Sequence, residues 1–296
     1  MIRHLPLFFS GLTNWRSLPS IAERSLREIF PGIEQDVENR DKTAAFYAGC
    51  LNDFVYPEIG TDLVKVLNRI NVMVTFPEDQ NCCGVPALYS GDRETAVELA
   101  IQNIDAMLGG GADYVVTTCP TCTMALQRNF PQLLKDDPVY SLRALQLAEK
   151  TMDISGFISS VLVHGKKDIF AEIRETVTYH DSCHLKRGAR IWKEPRDLIK
   201  KTGRKIHEMS RPDRCCGFGG SYSFTSHADI SEQILKDKLD DINATGAGCT
   251  AVDCPGCLLQ LKGGLDKRRS GGDVKHTVQL LSESLTLKDR SQKGDK

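Results

Sequence analysis

The cysteines of this chain come twice in the same order, and that repetition limits what the chain can fold into. The first set is Cys50, the adjacent pair Cys82 and Cys83, and the closing Cys119-Pro-Thr-Cys122. The second is Cys183, the pair Cys215 and Cys216, and Cys254-Pro-Gly-Cys257. In both sets 31 residues separate the single cysteine from the pair, and 35 and 37 residues separate the pair from the C-x-x-C. A glycine follows each pair, Gly84 and Gly217. Self-similarity over so long a period points to duplication of a whole structural unit.

The flanking sequence repeats as well. Each set opens on a β-rich run, Ala44 to Cys50 and Val177 to Cys183, followed by a helical stretch near 58–69 and 194–202. A second strand, 72–76 and 205–209, leads to each Cys-Cys-Gly. A longer amphipathic helix comes next, near 92–109 and 228–244, and a third strand, 114–117 and 250–253, delivers the C-x-x-C. Strand and helix in alternation predict a parallel sheet covered by helices on both faces. The expected fold is therefore α/β: two tandem, pseudo-symmetric Rossmann-like parallel-sheet domains with the cysteine loops at the strand carboxyl ends, where open α/β sheets bind ligands. The first cysteine-rich domain is placed at 44–150, a helical linker at 151–172, the second domain at 173–288 and a disordered tail at 289–296. Within the second domain, 265–275 reads as a charged turn ahead of a last strand, 276–278, and a helix to about Leu287.

An odd total of 11 cysteines, in a chain of 296 residues with no secretion signal, does not read as a disulfide framework. The N-terminal apolar run is short and is broken by Pro6, and no small-residue cleavage site follows. The reading is a cytoplasmic protein, associated with a membrane only through partners. A net charge of -1 gives no reason to expect nucleic acid, and no stretch has the length of a membrane span.

Clustered reduced thiols hold metal or do redox chemistry. Thiolate is a soft ligand that selects iron–sulfur, zinc or copper(I). Glycine after each adjacent pair permits the tight turn needed to redirect two neighbouring sulfurs to one side. Five thiolates per set exceed the four of a cubane cluster or a zinc centre, so either one is spare or the cluster is not an ordinary cubane. Structural zinc is the competing occupant. Cys249, outside the pattern, reads as a buried strand cysteine. His180 and His184 flank Cys183 and read as capping or surface histidines, with tuning of a bound cluster as the alternative. Lys186 and Arg187 read as a solvated helix start. Gly217 to Gly220 lacks the spacing of a phosphate loop. Trp15 and the apolar N-terminal segment read as a docking surface.

The twin pattern, with Tyr179-His-Asp-Ser-Cys-His-Leu-Lys-Arg187 and Cys215-Cys-Gly-Phe-Gly-Gly220, resembles the cysteine-rich CCG domains of the disulfide-cleaving component of heterodisulfide reductase, the glycolate oxidase iron–sulfur subunit and the lactate-utilisation iron–sulfur proteins. The stretch Cys50 to Gly60 looks particularly like the lactate-utilisation branch. The resemblance implies two [4Fe–4S] clusters, each of which is non-cubane where the motif is complete. One would be held by Cys50, Cys82, Cys83, Cys119 and Cys122, the other by Cys183, Cys215, Cys216, Cys254 and Cys257. Many glycolate and lactate members keep only one cysteine of the closing pair, whereas this chain keeps both in both sets. Longer members carry a ferredoxin-like segment first. Residues 1–43 contain no cysteine and resemble the connector that follows it, so the resemblance implies the C-terminal part of a larger assembly whose other pieces lie on separate chains or are missing from this sequence.

On this footing the chain is an oxidoreductase subunit that moves electrons within a lactate- or glycolate-oxidising complex. Its partners would be a flavin-containing or ferredoxin-type subunit and a quinone or other carrier, with substrate oxidation on a partner chain. A catalytic disulfide reductase of the heterodisulfide reductase kind is the alternative.

Overall fold

The computed structural model describes residues 1–2, 13–37, 42–163, 169–220 and 226–294. Contacts divide the chain into two units: Ala22–Ile169, and Met1–Ile21 together with Phe170–Lys296.

The first unit is built on four parallel strands, β1 (Lys42–Phe46), β2 (Val72–Thr75), β3 (Tyr114–Thr117) and β4 (Thr151–Asp153), in the order β2-β1-β3-β4. The second repeats the order with β5 (Thr176–Tyr179), β6 (Lys205–Ile206), β7 (Cys249–Val252) and β8 (Asp273–His276), arranged β6-β5-β7-β8 and again parallel throughout. All four residues of β7 are buried, as expected of a strand covered on both faces. The order reverses between β1 and β3 and between β5 and β7. At such a switch point the loops diverge to opposite faces and leave a crevice outside the strand ends.

The helices that matter here follow these strands. In the first unit they are α1 (Gly49–Phe54), α2 (Pro57–Arg69), α3 (Val85–Tyr89), α4 (Arg93–Gly109) and α5 (Pro120–Met124). In the second they are α6 (Glu194–Lys201), α7 (Ala228–Ala244), α8 (Pro255–Arg268) and α9 (Thr277–Gly294). Pro57 starts α2 at a position that needs no N–H donor, and the helix buries Ile59, Leu63, Val64, Val66 and Leu67. No helix among the described residues is long and apolar enough to cross a membrane.

Four sequence expectations differ from the structure. The segment read as a helical linker, 151–172, opens with strand β4, whose three residues pair with Val115–Thr117. So short a strand carries no alternation to read. The charged turn expected at 265–275 is split between the last turn of α8 and strand β8, which starts at Asp273 rather than at His276. The tail is helical as far as Gly294, since α9 continues through the polar residues after Leu287. The N-terminal segment does not act as one connector. Ser17 N–H donates to the Gly263 carbonyl (2.9 Å), and Ser17 Oγ donates to Asp266 (2.6 Å), so this part belongs to the second unit. A Cβ on Gly263 would stand 2.2 Å from the Ser17 carbonyl oxygen, so this approach requires glycine. Leu26 instead seats on Gly60 of α2, within the first unit. Residues 3–12, including most of the apolar N-terminal run, lie outside the described residues.

Candidate metal centres

The three cysteine elements of each set come off three neighbouring strands. In the first unit β1 ends at Phe46 and Cys50 lies in the first turn of α1. Gly49 just before it sits at φ +67°, and a Cβ there would stand 2.8 Å from Cys122 Sγ. Backbone and sulfur approach too closely for any side chain. Cys82 and Cys83 follow β2, and Gly84 at φ +71° turns the chain into α3. Cys119 caps α5 in an extended conformation, Pro120 opens the helix, and Cys122 lies one turn in. The second unit repeats this with Cys183, with Cys215, Cys216 and Gly217 at φ +84°, and with Cys254 capping α8 ahead of Pro255. In each C-P-x-C, proline fixes the first helical φ and both sulfurs stand at the positive end of the helix dipole, but contacts with the neighbouring sulfurs, then burial, push the Cys122 and Cys257 thiols up.

The sulfurs make the same chain of contacts in both units. Cys50 meets Cys82, Cys82 meets Cys83, Cys83 meets Cys122 and Cys122 meets Cys119. In the second unit Cys183 meets Cys215, Cys215 meets Cys216, Cys216 meets Cys257 at 3.3 Å and Cys257 meets Cys254. None of the eleven cysteines forms a disulfide. Three of each set are buried, namely Cys83, Cys119 and Cys122, and Cys216, Cys254 and Cys257. The single cysteine and the first of the pair reach solvent in both units. Hydrogen bonds from Cys50, then Cys83, and from the Gly84 N–H pull the Cys82 thiol down to about 3. Cys183, then Cys216, and the Gly217 N–H (3.3 Å) pull Cys215 down to about 2. Burial pushes Cys249, in β7, up to about 12, in keeping with a structural strand cysteine.

Five convergent thiols exceed the four ligands of zinc and of an ordinary cubane alike, and their soft donors suit an iron–sulfur cluster with one thiolate to spare or of non-cubane form. N–H groups aimed at sulfur are a further feature of such sites. A buried polar group without a partner points the same way. His180 is 1% exposed, neither of its ring nitrogens has a hydrogen-bond partner in the protein, and a ring nitrogen lies with the Cys216 and Cys257 sulfurs so that all three atoms are within 4.8 Å of one another. Burial, then the nearby Lys238 ammonium, lowers the imidazole to about 4.

His180 is therefore not the surface or capping group expected from the sequence. Lys186 is half-buried and pairs with Asp181 (3.1 Å) and Asp213 (3.3 Å), whereas Arg187 is exposed, as a solvated helix start implies, and donates to the Asp213 carbonyl (3.4 Å). Trp15 is half-buried under the Arg16 guanidinium at 4.1 Å. Sequence reasoning missed Tyr47, Asn103, Lys238 and Arg16, each buried beside a cysteine set or its loops. A helical polar residue at the same distance before each C-x-x-C was the available signal for Asn103 and Lys238.

Comparison with known proteins agrees with this geometry. The cysteine-rich domain model CCG matches twice, at residues 44–127 and 177–262. "Lactate utilization protein A" of Shouchella clausii is 37% identical over 240 residues, 80% of this chain and 98% of that protein. The protein of the same name from Bacillus pumilus is 38% identical over 238 residues, 80% of this chain and 97% of that one. A "Probable glycolate oxidase iron-sulfur subunit" of Bacillus subtilis is 33% identical over 270 residues, 90% of this chain but 60% of that longer protein. Among solved structures, a hypothetical protein from Helicobacter pylori shares the fold at TM-score 0.51 and 10% identity, over 88% of this chain and 53% of that one. With two matched copies spanning most of both units, and two relatives aligned over nearly their whole length, this chain belongs to the CCG cysteine-rich domain family.

Proposed function

We propose that this chain is the iron–sulfur electron-transfer subunit of a complex oxidising a 2-hydroxy acid, lactate or glycolate, and that each cysteine set holds one four-iron cluster. The carrying observation is the duplicated chain of five sulfurs, joined by the same four contacts, at the two switch points. The names of the relatives, lactate utilization protein A and glycolate oxidase iron-sulfur subunit, support the substrate class. When bound, a cluster of this kind takes up and releases single electrons. The protein's part is to hold it. Three buried thiolates per set form the seat, the two outer ones close it, and the Gly84 and Gly217 N–H groups donate to the outer sulfur of each pair. Substrate oxidation falls to a flavin-containing or ferredoxin-type partner, and a quinone or other carrier takes the electrons on.

Iron, acid-labile sulfide and zinc per chain on anaerobically purified protein, with EPR on the same sample, test this reading. About eight irons with matching sulfide are expected. Zinc with little iron would overturn it in favour of a structural scaffold.

A second reading is favoured by one observation: both sets keep both closing cysteines, Cys119 with Cys122 and Cys254 with Cys257. Complete motifs suit a disulfide reductase, in which a disulfide takes two electrons and two protons and leaves as two thiols. Turnover of a disulfide by the reduced chain, without any 2-hydroxy acid partner, would favour this reading over the first.

A further inference from the structure

The two sites share their sulfurs but not the groups behind them. Sheet register allows residue-by-residue comparison. The Tyr47 N–H donates to Val116 O, and the His180 N–H donates to Ala251 O. Each of those carbonyls lies three residues before the first cysteine of its C-x-x-C, and Tyr47 and His180 each lie three residues before the single cysteine of their set. Tyr47 and His180 therefore hold one place in two copies. Tyr47 is fully buried, and its hydroxyl is committed to the Asn81 carbonyl at 2.6 Å. His180 is as deeply buried, and its ring nitrogens have no such commitment.

A second pair differs in the same sense. Asn103 of α4 and Lys238 of α7 each precede the first cysteine of the C-x-x-C by 16 residues, and both are fully buried. Each braces the loop that carries the cysteine pair. Asn103 Nδ2 donates to the Cys82 carbonyl (2.9 Å), and Lys238 Nζ donates to the Arg211 carbonyl (2.6 Å). A neutral amide in the first copy is an ammonium in the second. Arg16, fully buried with its guanidinium donating to Gln260, brings a further cation that senses Cys216. The buried Asp253 carboxylate opposes these charges, but it accepts from the Tyr179 and Thr277 hydroxyls.

We propose that His180 donates its ring N–H to a sulfur at the second cysteine set, and that this donor, backed by Lys238 and Arg16, gives the cluster held there the higher reduction potential of the two. Reduction adds one negative charge to a cluster and its thiolates. Hydrogen bonds to the sulfurs and nearby cations stabilise that charge, and both levers are among those that set the potential. In the first copy the equivalent hydroxyl is already spent on backbone and the equivalent helix residue is uncharged. A chain carrying a single electron therefore carries it on the second set.

The proposal rests on the iron–sulfur reading, and one experiment separates the two. The test is an anaerobic redox titration followed by EPR on wild type, His180→Phe, His180→Gln and Tyr47→Phe, with iron and sulfide measured on each sample. Cys83→Ser and Cys216→Ser assign the steps. Two reduction steps are expected in wild type, the higher surviving in Cys83→Ser. His180→Phe shifts that step down by at least a tenfold change in the reduction equilibrium, about 59 mV for one electron, with iron unchanged. His180→Gln, which restores an N–H, recovers part of the shift, and Tyr47→Phe leaves both steps in place. A higher step that belongs to the first set, or that stays put in His180→Phe, would overturn the proposal. Loss of about half the iron in His180→Phe would also overturn it, by making the imidazole a requirement for holding the cluster. Wild-type protein without iron would instead sink the reading beneath it.

Discussion

Gly217 turns the chain at φ +84° directly after Cys216, and an added Cβ would stand 2.7 Å from the Ser231 carbonyl oxygen. Its counterpart Gly84 has looser surroundings, the nearest atom to such a Cβ being Ala96 Cα at 3.4 Å. Gly217→Ala therefore costs more than Gly84→Ala. About 2 kcal/mol or more is expected for the first and about 1 kcal/mol for the second, read from guanidinium unfolding midpoints. Gly49→Ala, with its Cβ against Cys122 Sγ, empties the first set and spares the second, so about half the iron remains. The ten patterned cysteines were legible in the sequence because spacing is discrete and repeats. His180 was not. A histidine beside a cysteine reads alike whether its ring faces water or sulfur, and burial is decided by what packs over it. The match of His180 with Tyr47 was masked further. Both copies carry a tyrosine ahead of the single cysteine, which invites pairing Tyr47 with Tyr179; the count back from the cysteine and the strand register agree that this pairing is one residue out.

The elements that carry the site are those whose sequence signals are strongest: strands of β-branched and apolar residues before each cysteine, and a proline at the start of each C-P-x-C helix. The element that escaped is short. β4, with three residues, is too short to show a period, and its pairing is set by the sheet it joins rather than by its own composition; β6 was expected at 205–209 and is present, shortened to two residues. Helix α6 is tied to the loop after β5 through Arg196. Its guanidinium spans the buried Asp181 carboxylate (2.7 Å) and Glu208 (2.7 Å), and these two partners raise its pKa against the cost of burial. Arg196→Met leaves a buried carboxylate with Lys186 as its remaining partner. It is expected to destabilise the second unit by about 3 kcal/mol, seen as an earlier chemical unfolding transition. β7 offers a check on burial at the same scale. With its thiol pushed up to about 12, Cys249 holds far less thiolate at pH 8 than a free cysteine. It should escape iodoacetamide in the folded protein and react once unfolded, as peptide mass spectrometry would show.

Both units carry the same strand order and the same chain of sulfur contacts, so each set should load by itself. Cys83→Ser and Cys216→Ser are each expected to lose about half the iron, and the double variant nearly all of it. A single substitution that emptied both sets would contradict independent sites. Duplication was the most legible property of the whole chain, since a repeat needs no physics to be noticed. What the repeat concealed is how the copies have diverged, because substitutions such as Asn103 against Lys238 leave the spacing untouched. In both copies, moreover, three thiols lie inside and two reach water. That gives each site a direction of wear. Oxygen, peroxide or a chelator arrives at the Cys50 and Cys82 edge, or at the Cys183 and Cys215 edge, while the inner three stay shielded. Damage thus starts at the two outer sulfurs of each set, and the three inner ones are the last to be touched.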